Sequence, residues 1–204
     1  MINGGRTRAG TIAGLALVAV LGIGCVITYR QLSDGLPDLN YQSLSAVGEE
    51  GRMARDGLAL ADFGDSDGYG YVRDFEQIVD MKFLSAKEIA VIEAGTATAA
   101  RATVAKSPQG RVVAIVVKLA SPEVAQDVAA ELDQLQIEAG MRRVLAPPSV
   151  HRAEIAGATP DGRVHYAHDR LLVRVDLAAA PGVPLGPAFT GVINRQLKEL
   201  SADG

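Results

Sequence analysis

One cysteine, no tryptophan and an aromatic content of 4% stand out in this chain of 204 residues. A lone cysteine excludes an intramolecular disulfide and any multi-cysteine zinc site. The chain also has no run of basic residues, and its formal net charge is -4. Nucleic acid is therefore a poor partner. Nucleophile and phosphate motifs are missing too. There is no Gly-x-Ser-x-Gly, no Ser-x-x-Lys with its companions, no Gly-x-Gly-x-x-Gly and no Walker pattern. What is present is ordinary for a folded domain: 48% hydrophobic and 22% charged residues, which excludes a disordered tail, a collagen and a coiled-coil rod.

Charge is absent from one long stretch. Residues 9–29 read AGTIAGLALVAVLGIGCVITY, without a charged residue, an amide side chain or a proline. A helix of this length, rising 1.5 Å per residue, spans about 30 Å, the hydrocarbon thickness of a bilayer. Arg6 and Arg8 precede the run, and Arg30, Asp34 and Asp38 follow it. Positive charge resists translocation, so the N-terminus is expected in the cytoplasm and the rest of the chain outside. An uncleaved signal anchor is the favoured reading, because the run outlasts the apolar region of a cleavable signal and no small-x-small site closes it. A lipoprotein signal cut before Cys25 is the alternative, which makes Cys25 a candidate lipidation site. Leu21-Gly22-Ile23-Gly24-Cys25 approximates a lipobox, with Gly22 where a large aliphatic residue is wanted. A buried core helix is the third reading, opposed by the flanking charges. Gly10 and Gly14 form a small-x-x-x-small pair, but at the very end of the run, so no helix contact is assigned to them.

The expected organisation is a cytoplasmic N-terminus over 1–8, a transmembrane anchor over 9–29, a linker over 30–40 and an extracytoplasmic domain over 41–204. Three of the 20 basic residues and none of the 24 acidic ones precede position 31, which leaves the remainder at -7. Helical spacing of Leu44, Val47, Gly51, Ala54, Leu58 and Ala61 predicts a helix over 41–61, and residues 62–70 read as a loop. Val72, Phe75, Val79 and Phe83 predict a helix over 71–83. Residues 85–94 stay open between a helix started by a Ser85–Glu88 capping box and a strand carrying Ile89, Val91 and Ile92. Two strand-like runs, 96–106 and 111–119, flank Ser107-Pro108-Gln109-Gly110, a turn sequence. The second run is apolar on both faces and is expected to be a central, doubly covered strand. Ser121-Pro122-Glu123 starts a helix that Gly140 ends. Strands over 152–158 and 163–168 are expected across a Thr159-Pro160-Asp161-Gly162 turn. After a tight turn at Asp169-Arg170, residues 171–177 alternate strictly, with Leu171, Val173, Val175 and Leu177 inward and Arg174 and Asp176 outward. Phe189, Val192, Ile193, Leu197 and Leu200 mark a closing helix. Short hairpins impose antiparallel pairing. The expected fold is α+β: a two-layer domain, an antiparallel sheet with packed helices, behind the transmembrane helix.

Candidate sites are few. His165 and His168 form His-x-x-His, but on a strand residues three apart point to opposite faces, so no metal pair is assigned and one histidine is expected to be exposed. His151 has no identifiable partner. Asp62, Asp65, Asp67 and Gly68 faintly resemble a calcium loop. With Gly68 at its sixth position, Phe63 falls on the first and Asp74 on the last, and the pattern fails. Arg142-Arg143 is read as a solvated pair. No catalytic, cofactor or metal residue is therefore assigned.

The segments VVAIVVKLASPEVAQDVAAELDQLQ and RVHYAHDRLLVRVDLAA resemble the extracytoplasmic α+β domains of actinobacterial lipoproteins and membrane-anchored proteins of unknown function, over roughly residues 96–200. In those sensor-type modules a strand runs through Ser-Pro-Glu into an amphipathic helix and then into hairpin strands. The resemblance carries no catalytic residues, and the paired cysteines of some members are missing here. The resulting expectation is a single-pass, non-enzymatic binding or accessory protein of a cell-envelope membrane complex, with the lipid bilayer and membrane proteins as partners. A lipid- or amphiphile-binding lipoprotein, with an apolar cavity between sheet and helices, is the alternative. An enzyme is least expected. Convergence of His151, His165 and the acids of 62–67 would revive it.

Overall fold

The computed structural model describes residues 57–67 and 69–203. The expected anchor with Cys25, the linker, Gly68 and most of the 41–61 helix lie outside them. No helix among the described residues is long and apolar enough to cross a membrane.

Among the described residues, seven strands form one fully antiparallel sheet. They are β1 (Asp65–Asp67), β2 (Ala100–Ser107), β3 (Gly110–Lys118), β4 (Arg142–Arg143), β5 (His151–Ile155), β6 (Asp161–His168) and β7 (Leu171–Ala179), in the spatial order β1-β2-β3-β7-β6-β5-β4. The helices among the described residues are α1 (Phe75–Asp80), α2 (Ala86–Ala94), α3 (Pro122–Glu138) and α4 (Leu185–Glu199). The α+β class and the antiparallel sheet are as expected. The two layers are not, because helices cover both faces. The α1, α2 and α3 side buries Phe75, Ile78, Ile92, Val128 and Leu132 against Val113, Ile115 and Val117 of β3. The α4 side buries Phe189, Val192 and Ile193 against Val112, Ala114, Val116 and the inward row of β7. The doubly apolar β3 is indeed covered on both sides, and its alternate residues feed separate cores.

Local chemistry explains the elements. Ser121 accepts from the Val124 backbone N–H, with a proline in the first turn, and starts α3. The open segment 85–94 is a helix. In its capping box the Ser85 hydroxyl accepts from the Glu88 N–H, and the Glu88 carboxylate accepts from the Ser85 N–H. The helix over 71–83 is shorter than its apolar spacing implied and is capped by Asp74 and Gln77 in the same way. Residues 57–61 are not helical. Leu58 and Ala61 are buried there as an irregular segment against α4. β1 arises inside the stretch read as a loop. Asp161 and Gly162 belong to β6 rather than to a turn, and Gly162 lies against the Phe189 ring: a Cβ there would stand 2.5 Å from Phe189 Cδ1.

The β2–β3 hairpin closes at Pro108-Gln109, and Gly110 then lies against β7. It has φ +140°, and an added Cβ would sit 2.1 Å from the Ala178 carbonyl oxygen, which is main chain and cannot step aside. Gly110→Ala is expected to destabilise the domain by about 2 kcal/mol or more, lowering Tm by roughly 4–8 °C. Thermal unfolding followed by circular dichroism checks this.

Candidate functional site

Charged residues converge under α2 and α3. Arg174 of β7 does not face solvent. It is 2% exposed on the α3 side of the sheet, where strand alternation places it beside Leu172 and away from the inward row. Its Nη1 donates to Glu88 Oε1 at 2.6 Å, its Nη2 to Asp176 Oδ2 at 2.8 Å and its Nε to Asp176 Oδ1 at 3.0 Å. Glu88, 4% exposed, also accepts from the Gln136 amide of α3 at 2.7 Å. Gln136 in turn accepts from Arg163 Nη1 of β6 at 2.6 Å, and Arg163 stands 3.4 Å from Asp161. Two helices and two strands are thereby joined in one network. A cleft of about 230 Å³ opens beside it, lined by Ser85, Lys87, Glu88, Gln136 and Arg163 among others.

The electrostatics follow from this packing. Burial would raise the Glu88 carboxyl, but the Arg174 guanidinium, the Ser85 N–H and hydroxyl and the Gln136 amide outweigh it and hold the pKa at about 2. Burial also lifts Asp161 above the usual carboxylate range, helped by Asp176, while Arg163 and Arg174 oppose the shift. His165 sits on β6, with His151 and Arg174 as its cross-strand partners, and is 1% exposed. Its Nε2 has no hydrogen-bond partner. Burial first, then the nearby Arg174 guanidinium, pushes its pKa well below the ordinary histidine value.

The other candidate residues are dispersed. His165 and His168 do point to opposite faces of β6. His168 reaches the Ser201 carbonyl at 2.8 Å through Nδ1 and is the more exposed of the two. His151 packs opposite His165, whereas Asp62 and Asp65 lie at the far edge of the sheet beside β2, so the two groups do not converge. Arg142 and Arg143 are not a simple solvated pair. Arg143 donates to the buried Asp133 of α3 at 2.7 Å. Arg142 instead lines a groove of about 590 Å³ between the β4–β5 edge and the start of α4. Val144, Ile155, Val183 and Leu185 wall that groove, and Glu154 lies in it. Glu154 is held by Arg152 (Nε to Oε1, 2.8 Å), whose guanidinium also donates to Thr190 Oγ1 at 2.9 Å and stacks over the Phe189 ring at 5.3 Å. Leu145, next along the edge, is 95% exposed.

The sequence reading missed Glu88, Arg174 and the groove. Only Glu88 left a signal, as the acid of the capping box. Comparison of the chain with protein-family models, with curated proteins and with solved structures gives no match in any of the three.

Two acid-sensitive steps are expected. A histidine whose folded pKa is depressed contributes stability above the unfolded value of 6.5. That contribution is lost as pH falls below it, because the unfolded chain takes up the proton. Glu88, lowered from 4.5 to about 2, adds a second loss as pH falls through that interval, on the order of 3 kcal/mol. Urea titrations across pH should show both, and His165→Gln should flatten the step between about pH 7.5 and 5.5. Glu88→Ala leaves Arg174 buried beside Asp176 alone and is expected to cost about 3 kcal/mol or more at neutral pH, read as a lower urea midpoint.

Proposed function

We propose that this chain is a single-pass, membrane-anchored binding or accessory protein with an extracytoplasmic α+β domain. It acts as a subunit or sensor-like module of a cell-envelope complex and has no catalytic activity of its own. The observation that carries this reading is the division of the domain's chemistry. The charged groups that converge, Glu88, Arg174, Asp176 and Arg163, are engaged with one another beneath helices. The open concave surface at the β4–β5 edge has mainly aliphatic walls. Reaction chemistry needs ionisable groups free to meet a substrate, and recognition needs an apolar surface with a few polar fixings. The uncharged run over 9–29, with Arg6 and Arg8 before it, supports the anchor and an N-terminus in the cytoplasm.

A lipoprotein acylated at Cys25, carrying a lipid or small amphiphile, is the second reading. The groove at the β4–β5 edge is what favours it, since its walls are mainly aliphatic. Intact-mass measurement separates the two forms: the full-length chain for the anchor, a diacylated product beginning at Cys25 for the lipoprotein.

The accessory reading predicts that the full chain stays with membranes after alkaline carbonate extraction. Proteases added to intact spheroplasts should degrade the domain, and purification in mild detergent should recover the same membrane proteins reproducibly. A chain that always purifies alone, or a domain that added protease cannot reach until cells are permeabilised, would count against it.

A further inference from the structure

From the groove at the β4–β5 edge we infer a binding site for a single-chain anionic amphiphile, a medium- or long-chain carboxylate. The inference rests on reading the domain as a binding module and names what that module takes up. The volume of about 590 Å³ falls in the range of small-molecule sites. The walls are aliphatic: Val144 and Ile155 from the sheet edge, Val183 and Leu185 from the entry to α4. Such walls suit an alkyl chain, which has no polar atoms to satisfy.

The charge in the groove selects the head. Three ionised side chains lie in or against it. Glu154 is neutralised by Arg152, which is 7% exposed and fixed by Thr190 and the Gly186 carbonyl. That leaves Arg142 as the uncompensated charge of the three. It is exposed at the groove and has no hydrogen-bond or ion-pair partner among the described residues. Its neighbour Arg143, on the opposite side of β4, is engaged with Asp133. A single free guanidinium matches a monoanion, and its planar fork matches a carboxylate with two parallel hydrogen bonds. A phosphate dianion would call for more cations than the groove supplies. A second copy of this chain seated by its own β4 edge would bring arginine against arginine.

The test uses the full chain, in whichever fraction it occurs, and decanoate carrying a terminal diazirine. After illumination, adducts should map to residues 140–144, 154–156 and 183–185. Unlabelled decanoate should suppress them. The same alkyl diazirine with a methyl-ester or trimethylammonium head should label weakly. Arg142→Ala should reduce labelling about tenfold at limiting probe, and Ala156→Trp, an exposed position at the rim, should abolish it by filling the groove. Equal labelling by all three heads, adducts scattered over the surface, or an unchanged Arg142→Ala chain would overturn the proposal. So would a groove labelled only after membrane partners are stripped away, which would make its occupant a protein segment. Recovery of partners in detergent is read separately, so the accessory reading can stand where this site fails.

Discussion

Placing a guanidinium in the middle of a sheet face constrains everything packed over it. Arg174 lies on β7, the central strand of seven, between Ile115 of β3 and His165 of β6 as cross-strand partners. Buried arginine keeps its charge, so the surroundings must supply anions with good geometry. Asp176 supplies one from the same strand, two residues on. The other comes from Glu88, which requires α2 to sit directly above the arginine. α2 buries little else, only Ile92 fully. Its place on the sheet is therefore set by an ion pair more than by an apolar stripe. Gln136 extends the constraint to α3, and Arg163 extends it to β6. Truncating one partner of such a pair is far more damaging than the pair's net contribution would suggest, because the remaining charge cannot leave.

The two faces of the sheet consequently differ in kind. The α4 side is an aliphatic core closed by Phe189 and Tyr166, whose hydroxyl donates to the Leu200 carbonyl at 2.8 Å. The α3 side is apolar toward β2 and β3 and polar toward β6 and β7. The hydrogen bonds that tie Arg174 to Glu88 and Asp176, and Glu88 to Gln136, fix the orientation of α2 and α3 over the sheet. The β4–β5 edge lies outside both cores. Its last strand is only two residues long and ends in arginines, a composition that discourages unplanned strand pairing.

Much of this architecture was legible in the sequence. The β2–β3 hairpin, the Ser121-Pro122-Glu123 start of α3, the doubly covered β3 and the closing helix follow from local patterns that the folded chain keeps, whereas β5 and β6 pair as expected but turn over residues 156–160, ahead of Asp161-Gly162. The lost features have specific physical causes. Arg174 was read as solvent-facing because alternation says which residues share a face and says nothing of what covers that face. Its partner Glu88 lies 86 residues earlier, beyond the reach of any periodicity. The capping box at Ser85 was visible, but its acid does two jobs, closing the helix start and meeting Arg174, and only the first has a local signature. β1 and β4, of three and two residues, are too short to show a period at all. The groove is assembled from β4, β5 and the entry to α4, so no single segment announces it.

Gln196 of α4 is fully buried, and its side chain accepts from the Ala61 N–H at 2.9 Å while donating to the Ala59 carbonyl at 3.0 Å. The first described segment is thus buttoned to the last helix, across a sequence separation of 135 residues. A ribosome or translocation pore that releases this chain from its N-terminal end delivers residues 58–63 long before their seat exists. The β2–β3 hairpin and α3 can form early, yet the aliphatic side of the sheet stays bare until α4 emerges. Completion of the fold is therefore a late event, gated by the final stretch of synthesis.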